Sequence, residues 1–431
     1  MSSRQLASLD SICSIIADCP HSTPFWTDSG FLVIRNQNIK NGKLDLSERS
    51  YTDHKHYLIR IRRAKPQCGD LIFTREAPMG DVCMVPEGLE CCVGQRQVLL
   101  RPNPEKVVPR YLLYAIQSPE VQHEISWSEG TGSTVSNVRI PVLKSIKIPL
   151  LPLKEQAEAA TLLGALDDRL ALLRETNATL EAIAQALFKS WFVDFDPVHA
   201  KQQGRAPEGM DEATAALFPD GFEESELGLV PKGWRVGTVA DLGEVICGKT
   251  PPTSTPKNYG DEVPFITIPD MHGYLVVTTT KRALSRIGAD SQRKKYLPPG
   301  AICVSCIATP GLVIRVTTES QTNQQINSVV PLDSWGKSFP LFLLRRIGDA
   351  VRAGGSGGSV FHNLSKSGFE ELKVLLTSGV IAHKFDEVME PLVARIESNQ
   401  QQAQTLATLR DTLLPRLISG QLRLPEASSV A

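Results

Sequence analysis

PLKEQAEAATLLGALDDRLALLRETNATLEAIAQALFKSWFVDFDP, residues Pro152 to Pro197, decides how the rest of the chain is organised. No proline interrupts it between its ends, and its one glycine is Gly164. From Leu163 onward the small and apolar positions step by three and four: Leu163, Leu166, Leu170, Leu173, Asn177, Leu180, Ala184, Leu187 and Trp191. That spacing is a heptad seam with Asn177 as its polar member. A two-position seam is narrower than the stripe a globular core requires. It therefore predicts a long helix, over 151–196, that pairs with one other helix.

Val380 to Gln421 supplies the partner. An offset of 226 carries the seam onto Met389, Leu392, Ile396, Asn399, Ala403, Leu406, Arg410, Leu413 and Leu417, and the first polar position is again Asn. Two unrelated surface helices would be the alternative to an internal repeat. The flanking segments favour the repeat. Ser22-Thr23-Pro24 matches Ser254-Thr255-Pro256, and Gly69-Asp70-Leu71-Ile72 matches Gly300-Ala301-Ile302-Cys303. Gln95 and Gln324 precede apolar stretches ending in Pro102 and Pro331, and Ser133-x-x-x-Asn137 matches Ser359-x-x-x-Asn363. The offset falls steadily along the chain, as small loop deletions between two copies would make it do.

LEAIAQALFKSWFVDFDPV (Leu180 to Val198), SELGLVPKGW (Ser225 to Trp234) and LRDTLLPRLISGQL (Leu409 to Leu422) resemble the specificity subunit of type I restriction–modification systems. The resemblance covers nearly the whole chain, including the order of the repeat. HSTP (His21 to Pro24) and GQR (Gly94 to Arg96) also look like one class of that family's target recognition domains. The implied fold is α+β: two globular recognition domains of mixed sheet and helices, separated by two long antiparallel coiled-coil helices, with an internal pseudo-two-fold. The expected division is 1–150 first recognition domain, 151–196 first spacer helix, 197–233 connector, 234–378 second recognition domain, 379–422 second spacer helix and 423–431 tail. The connector is expected to wrap in partly ordered form, because Leu217, Phe218 and Phe222 call for burial. The implied partners are double-stranded DNA, two modification subunits that methylate adenine with S-adenosylmethionine, and restriction subunits that cut DNA with ATP and Mg2+. This chain would bind no cofactor itself.

Composition narrows the classes. Lys and Arg number 46 against 47 Asp and Glu, for a net charge of −1. Wholesale electrostatic capture of nucleic acid needs a basic chain, so DNA binding here must use local patches. The opening MSSRQLASLDS has no apolar signal region, and Ala301 to Ile314 is too short to span a bilayer. The cytoplasm, with no membrane association, is the expected location.

Within the first domain, Leu9-Asp-Ser-Ile and Phe31 to Arg35 read as short strands. Tyr51 to Lys65 alternates and carries Arg60, Arg62, Arg63 and Lys65 beside Tyr51 and Tyr57. These cations are candidate phosphate contacts; they would equally keep an edge strand soluble. Arg75, in a loop after a strand, and Arg96 are candidate base contacts, since loops on rigid domains carry recognition. Pro109 should open a helix. In the second domain the basic groups are Lys281 and Arg282 with Arg286, and Arg293, Lys294 and Lys295. Gly354 to Ser359 reads as a flexible loop.

Two motifs point elsewhere. Gly243 to Thr250 matches the Walker A pattern letter by letter. A phosphate loop must lead straight into a helix, and Pro251-Pro252 follows instead. Cys303-x-x-Cys306 lies in an alternating run, where residues three apart face opposite sides, so buried thiols are expected rather than a metal. The sequence contains no amino-methyltransferase motif, strand-linked glycine loop for a cofactor, or His-Glu-x-x-His. The chain therefore reads as a non-catalytic binding subunit. The rivals are a protein-only assembly scaffold and a self-contained DNA methyltransferase; the missing motifs argue against the second.

Two domains on a helical spacer form a ruler. About 30 residues of helix span roughly 45 Å, against roughly 34 Å for a turn of DNA. Unlike copies would read unlike half-sites. Within the spacer, antiparallel layering places Asn177 opposite Asn399, Leu170 opposite Leu406, Leu180 opposite Ile396, Leu187 opposite Met389 and Trp191 opposite Phe385. Leu166 faces Arg410, which must turn outward.

Overall fold

The computed structural model describes residues 5–127, 137–352 and 364–424. Ser133, the loop Gly354 to Ser359 and the second copy's Ser359-x-x-x-Asn363 lie outside them. The chain divides into two compact units, Met1–Ala171 with Gln404–Ala431, and Leu172–Ala403.

In the first unit, strand Leu6–Ser8 pairs antiparallel with Lys147–Pro149. A four-stranded sheet runs in the order Cys13–Asp18, Gln97–Pro102, Leu71–Thr74, Val82–Met84. Its strands alternate in the faces they bury. Leu71, Phe73, Val98 and Leu100 face Tyr111, Leu112 and Ile116 of helix Pro109–Gln117. Ile72 and Leu99 face the other way, onto Ile34 and Cys91 of a three-stranded sheet. In that sheet Phe31–Ile34 lies between Tyr51–Thr52 and, in parallel, Cys91–Val93. Pro109 occupies the first turn of its helix, where its missing N–H costs nothing.

Two expectations are corrected here. Leu9–Ile12 is a short helix, not a strand; Leu9 and Ile12, three apart, are its buried residues. Tyr51 to Lys65 is a strand only at Tyr51–Thr52, and His54–Arg60 is a helix. Asp53 caps it, its carboxylate accepting from the His56 amide at 2.7 Å. The buried members are Tyr57 and Arg60, again three apart, so the alternation read from the sequence was coincidental.

The second unit repeats this plan. Arg235–Thr238 pairs with Lys373–Leu376. A five-stranded sheet runs Gly243–Cys247, Ile326–Pro331, Ile302–Ser305, Val313–Val316, Val276–Val277. Val263–Ile266 pairs in parallel with Gln321–Thr322, as Phe31–Ile34 does with Cys91–Val93. The likeness extends to individual bonds. Gly69 N donates to Val85 O at 3.0 Å, and Gly300 N to Val316 O at 2.9 Å. These glycines have φ of +85° and +95°, a region other residues enter at a cost. The loops Thr74–Asp81 and Ser305–Leu312 close with the same pairs, Thr74 N to Asp81 O at 2.8 Å and Ser305 N to Leu312 O at 2.9 Å. Each carries an alanine at positive φ, Ala77 at 44° and Ala308 at 66°.

The long helices are Leu153–Phe192 and Gly379–Ile418, of 40 residues each. In the second unit the Asn399 amide donates to Asn177 Oδ1 at 2.8 Å, and Asn177 Nδ2 donates to Ile396 O at 3.2 Å. Trp191 meets the Phe385 ring edge-on at 5.6 Å. The two helices therefore run antiparallel there, with Leu173 buried and Leu180, Leu187 and Leu392 partly buried along the seam. In the first unit Leu170 and Leu417 are buried, while Leu166, Leu406 and Leu413 are half-buried. Arg410 turns off the seam, donating to Asp167 Oδ1 at 2.8 Å and to Asp411 at 2.7 Å. Gly164 lets Arg110 lie close across the helix: a Cβ there would lie 2.4 Å from the guanidinium carbon, and the arginine would have to shift. Arg110 donates to Gly164 O and Asp168.

The first long helix ends in an aromatic cluster. Phe188, Trp191 and Phe192 pack on Phe339, Phe385 and Phe218. Phe195, in the left-handed region at φ 55°, turns the chain and meets Phe222 and Trp234. The connector holds helices Asp196–Gln202 and Glu212–Leu217 and the hairpin Phe222–Ser225 with Gly228–Pro231. Phe218 is buried, but Leu217 is 38% exposed, against the expectation that both are covered. No described helix is long and apolar enough to cross a membrane.

Candidate nucleic-acid interface

Helix His54–Arg60 directs its last residue inward. Arg60 is 4% exposed, and its guanidinium donates to Val93 O at 3.1 Å and Ser22 O at 2.5 Å. Burial pushes its pKa down, yet the group ties a loop to a strand through two carbonyls. Arg75 is buried as well, donating to Val138 O at 3.0 Å and to Asp18 Oδ1 at 2.9 Å. Neither is placed to reach a duplex, which corrects their reading as phosphate and base contacts. Their donors are taken up within the domain by three backbone carbonyls and the Asp18 carboxylate. Arg62 and Arg63 are exposed, Arg63 donating to Asp18 O at 2.9 Å. Lys65 is exposed and pairs with Glu90 at 2.7 Å; that bond raises the Lys65 pKa and lowers the Glu90 pKa. Arg96 is 54% exposed, with Glu76 at 3.4 Å.

Arg96 opens onto a cleft of about 630 Å³ lined by Trp26, Arg35, Asn36, Gln37 and Gln95, among others. Trp26 is 43% exposed, and the Arg35 guanidinium lies 5.2 Å from its ring centre. Asn36 donates to Glu76 O at 2.5 Å, while its own Oδ1 is buried without a partner. Gln95 donates to His21 O at 2.6 Å and Thr23 Oγ1 at 3.3 Å, so HSTP and GQR belong to one corner. Amides, guanidinium groups and an exposed indole offer the donors, acceptors and stacking faces that read base edges. Sequence reasoning missed Trp26, Arg35, Asn36 and Gln37. The Asn36-Gln37-Asn38 run after a strand was the available signal.

In the second unit Lys281 and Arg282 are exposed, and Arg282 stacks 4.9 Å from the Tyr259 ring centre. Arg293 is 78% exposed with Asp290 at 3.6 Å, Lys294 is exposed and Lys295 half-exposed, all on the one-turn helix Arg293–Lys295. Arg286 pairs with Glu319 at 2.8 Å, which raises its pKa. Lys249 and Gln324 are exposed nearby; Thr250 donates to Gln324 at 2.7 Å, and Gln292 holds Lys249 O at 2.8 Å.

The Walker-like stretch is the strand Gly243–Cys247, laddered to Ile326–Pro331, and the next helical element is the single turn Pro256–Asn258. A Cβ on Gly248 would lie 2.1 Å from Asn323 O, so this glycine serves close packing of two segments. Cys303 and Cys306 enter different cores on the two faces of their sheet, and burial raises their thiol pKa values to about 12 and about 11. Among the described residues no group of three His, Cys, Asp or Glu is placed to hold a metal.

Residues 6–182 and 231–408 each match the family model for the type I restriction modification DNA specificity domain. The chain is 34% identical over 398 residues to the type I restriction enzyme HindI specificity subunit of Haemophilus influenzae, covering 82% of this chain and 86% of that one. It is 25% identical over 366 residues to the MjaIX specificity subunit of Methanocaldococcus jannaschii, covering 83% and 78%. The crystal structure of the S subunit of a type I system from M. genitalium shares the fold, with TM-score 0.60 at 16% identity over 99% of this chain and 98% of that one.

Proposed function

The chain belongs to the type I restriction modification DNA specificity family, and on that premise we propose that it is the subunit that chooses the DNA sequence for a modification and restriction complex. Each globular domain reads one half of a bipartite, asymmetric target, and the chain itself is non-catalytic. The observation that carries this reading is the repeated scaffold with unrepeated side chains. Backbone bonds recur between the copies to within 0.1 Å at Gly69 and Gly300, while the exposed groups beside them differ. Two like platforms with unlike surfaces suit two unlike half-sites.

The long helices offer outer faces to two modification subunits, which would supply S-adenosylmethionine chemistry; restriction subunits would bring ATP and Mg2+. In this reading the complex works in the cytoplasm. The test is methylation mapping with the assembled complex. Two unlike half-sites at a fixed gap are expected, and exchanging the first domain for a relative's should alter one half-site only. A continuous site, or methylation without sequence preference, would refute the proposal.

A further inference from the structure

The turn joining the strand Cys91–Val93 to Gln97–Pro102 has a counterpart of equal length before Ile326–Pro331. The two turns are held by the same backbone bonds. Gly94 N donates to Ile34 O at 2.8 Å and Asn323 N to Ile266 O at 3.3 Å. Arg75 N donates to Arg96 O at 2.8 Å and Cys306 N to Gln325 O at 2.9 Å. The middle residue of each turn is also retained, Gln95 and Gln324, and each is pegged by a neighbouring segment. The next side chain is not retained: Arg96 in one copy, Gln325 in the other.

Arg96 is set apart in two further ways. It sits at φ 65°, a conformation that costs a non-glycine residue and that concentrates at functional positions. Its guanidinium is more than half exposed at the mouth of the cleft, with its nearest carboxylate, Glu76, 3.4 Å away. A planar fork held on its Nε side by Glu76 and otherwise exposed matches the two acceptors, N7 and O6, on the major-groove edge of guanine. Asn36 lines the same cleft, with its Oδ1 buried and without a partner.

We infer that Arg96 is a specificity-determining residue that reads a guanine in the half-site of the first domain. This rests on the proposed function, and it adds the residue and the base. The matching position in the second copy holds Gln325, whose Oε1 accepts from Asn323 Nδ2 at 2.9 Å, so that copy presents no guanidinium there.

The experiment uses the full chain with its modification subunit and a set of duplexes in which each base pair of the mapped target is replaced in turn. The wild-type complex should lose about 5- to 150-fold in affinity when one G·C pair of the first half-site is replaced. Arg96→Ala should abolish that discrimination at that one pair and keep it at all others. Arg96→Lys keeps the charge and can still donate to N7 and O6 but loses the planar fork, so it should weaken the discrimination at that pair by less than Arg96→Ala and leave all other positions unchanged. Unchanged discrimination at every position in both variants would overturn the inference, as would a loss of affinity equal on all duplexes, which marks a phosphate contact. If the wild-type complex discriminates at no position, the proposed function fails and the inference with it.

Discussion

Replacing Asn177 by leucine would test what holds the two long helices in register. Asn399 is fully buried, and its amide finds Asn177 Oδ1 at 2.8 Å. Its own Oδ1 is already without a partner. In Asn177→Leu the Asn399 amide loses that partner and has no route to water, a cost of about 1–3 kcal/mol. Losing the bond to Ile396 O removes roughly 1 kcal/mol more. The new leucine, half-buried as Asn177 is, returns about 1 kcal/mol. The net loss is about 1–3 kcal/mol. Calorimetry of the complete chain should show this as a fall of about 2–10 °C in the transition of the second unit. Asn177→Leu combined with Asn399→Leu removes both polar groups and should recover most of the loss, because a matched apolar layer strands nothing. The coupling between the two positions should reach at least about 1 kcal/mol. A single variant within about 0.5 kcal/mol of wild type, or a double variant as unstable as the sum of both singles, would refute the argument.

Arg62→Ala with Arg63→Ala should flatten the slope of log affinity against log salt by up to about two units and leave the sequence read unchanged; an unchanged slope would show that these exposed cations face away from phosphate. Burial raises the Glu181 pKa above its ordinary value of about 4.5, against the pull of Arg345 at 2.7 Å. A carboxyl that binds its proton more tightly when folded contributes stability at low pH and loses it as pH rises through the folded pKa. Glu181→Gln should therefore reduce the decline in stability with rising pH above about 4.5; identical profiles in urea melts across that window would contradict this. Cys68 is exposed, whereas burial raises the Cys83, Cys91, Cys92 and Cys303 thiols to about 12. A thiol reagent at pH 8 should label Cys68 rapidly and these four only on unfolding, and mass mapping that finds any of the four labelled first would show their cores to be open.

The long helices and their duplication are legible in the chain alone, because heptad spacing and helix length are one-dimensional properties. A seam of Leu163, Leu170, Leu173 and Asn177 admits only a narrow partner, and the Asn at the matching place in the second seam singles out the register. The rejection of the Walker match is of the same kind, since proline after the lysine is a local veto. The aromatic run at Trp191 and Phe192 shows what spacing cannot say: these rings close on Phe339 and Phe385, far along the chain. The arginines show it more sharply. Arg60, Arg62, Arg63, Arg75 and Arg96 are alike in sequence terms, yet two are buried and three exposed. Whether a guanidinium meets solvent or a carbonyl depends on which loops pass over it, and Ser22 and Val93 reach Arg60 only through long-range packing. The cleft around Arg96 likewise gathers Trp26, Arg35 and Gln95 from segments up to 70 residues apart. Local pattern sets which residues form elements; the closure of those elements on one another sets which charges remain free to meet a ligand.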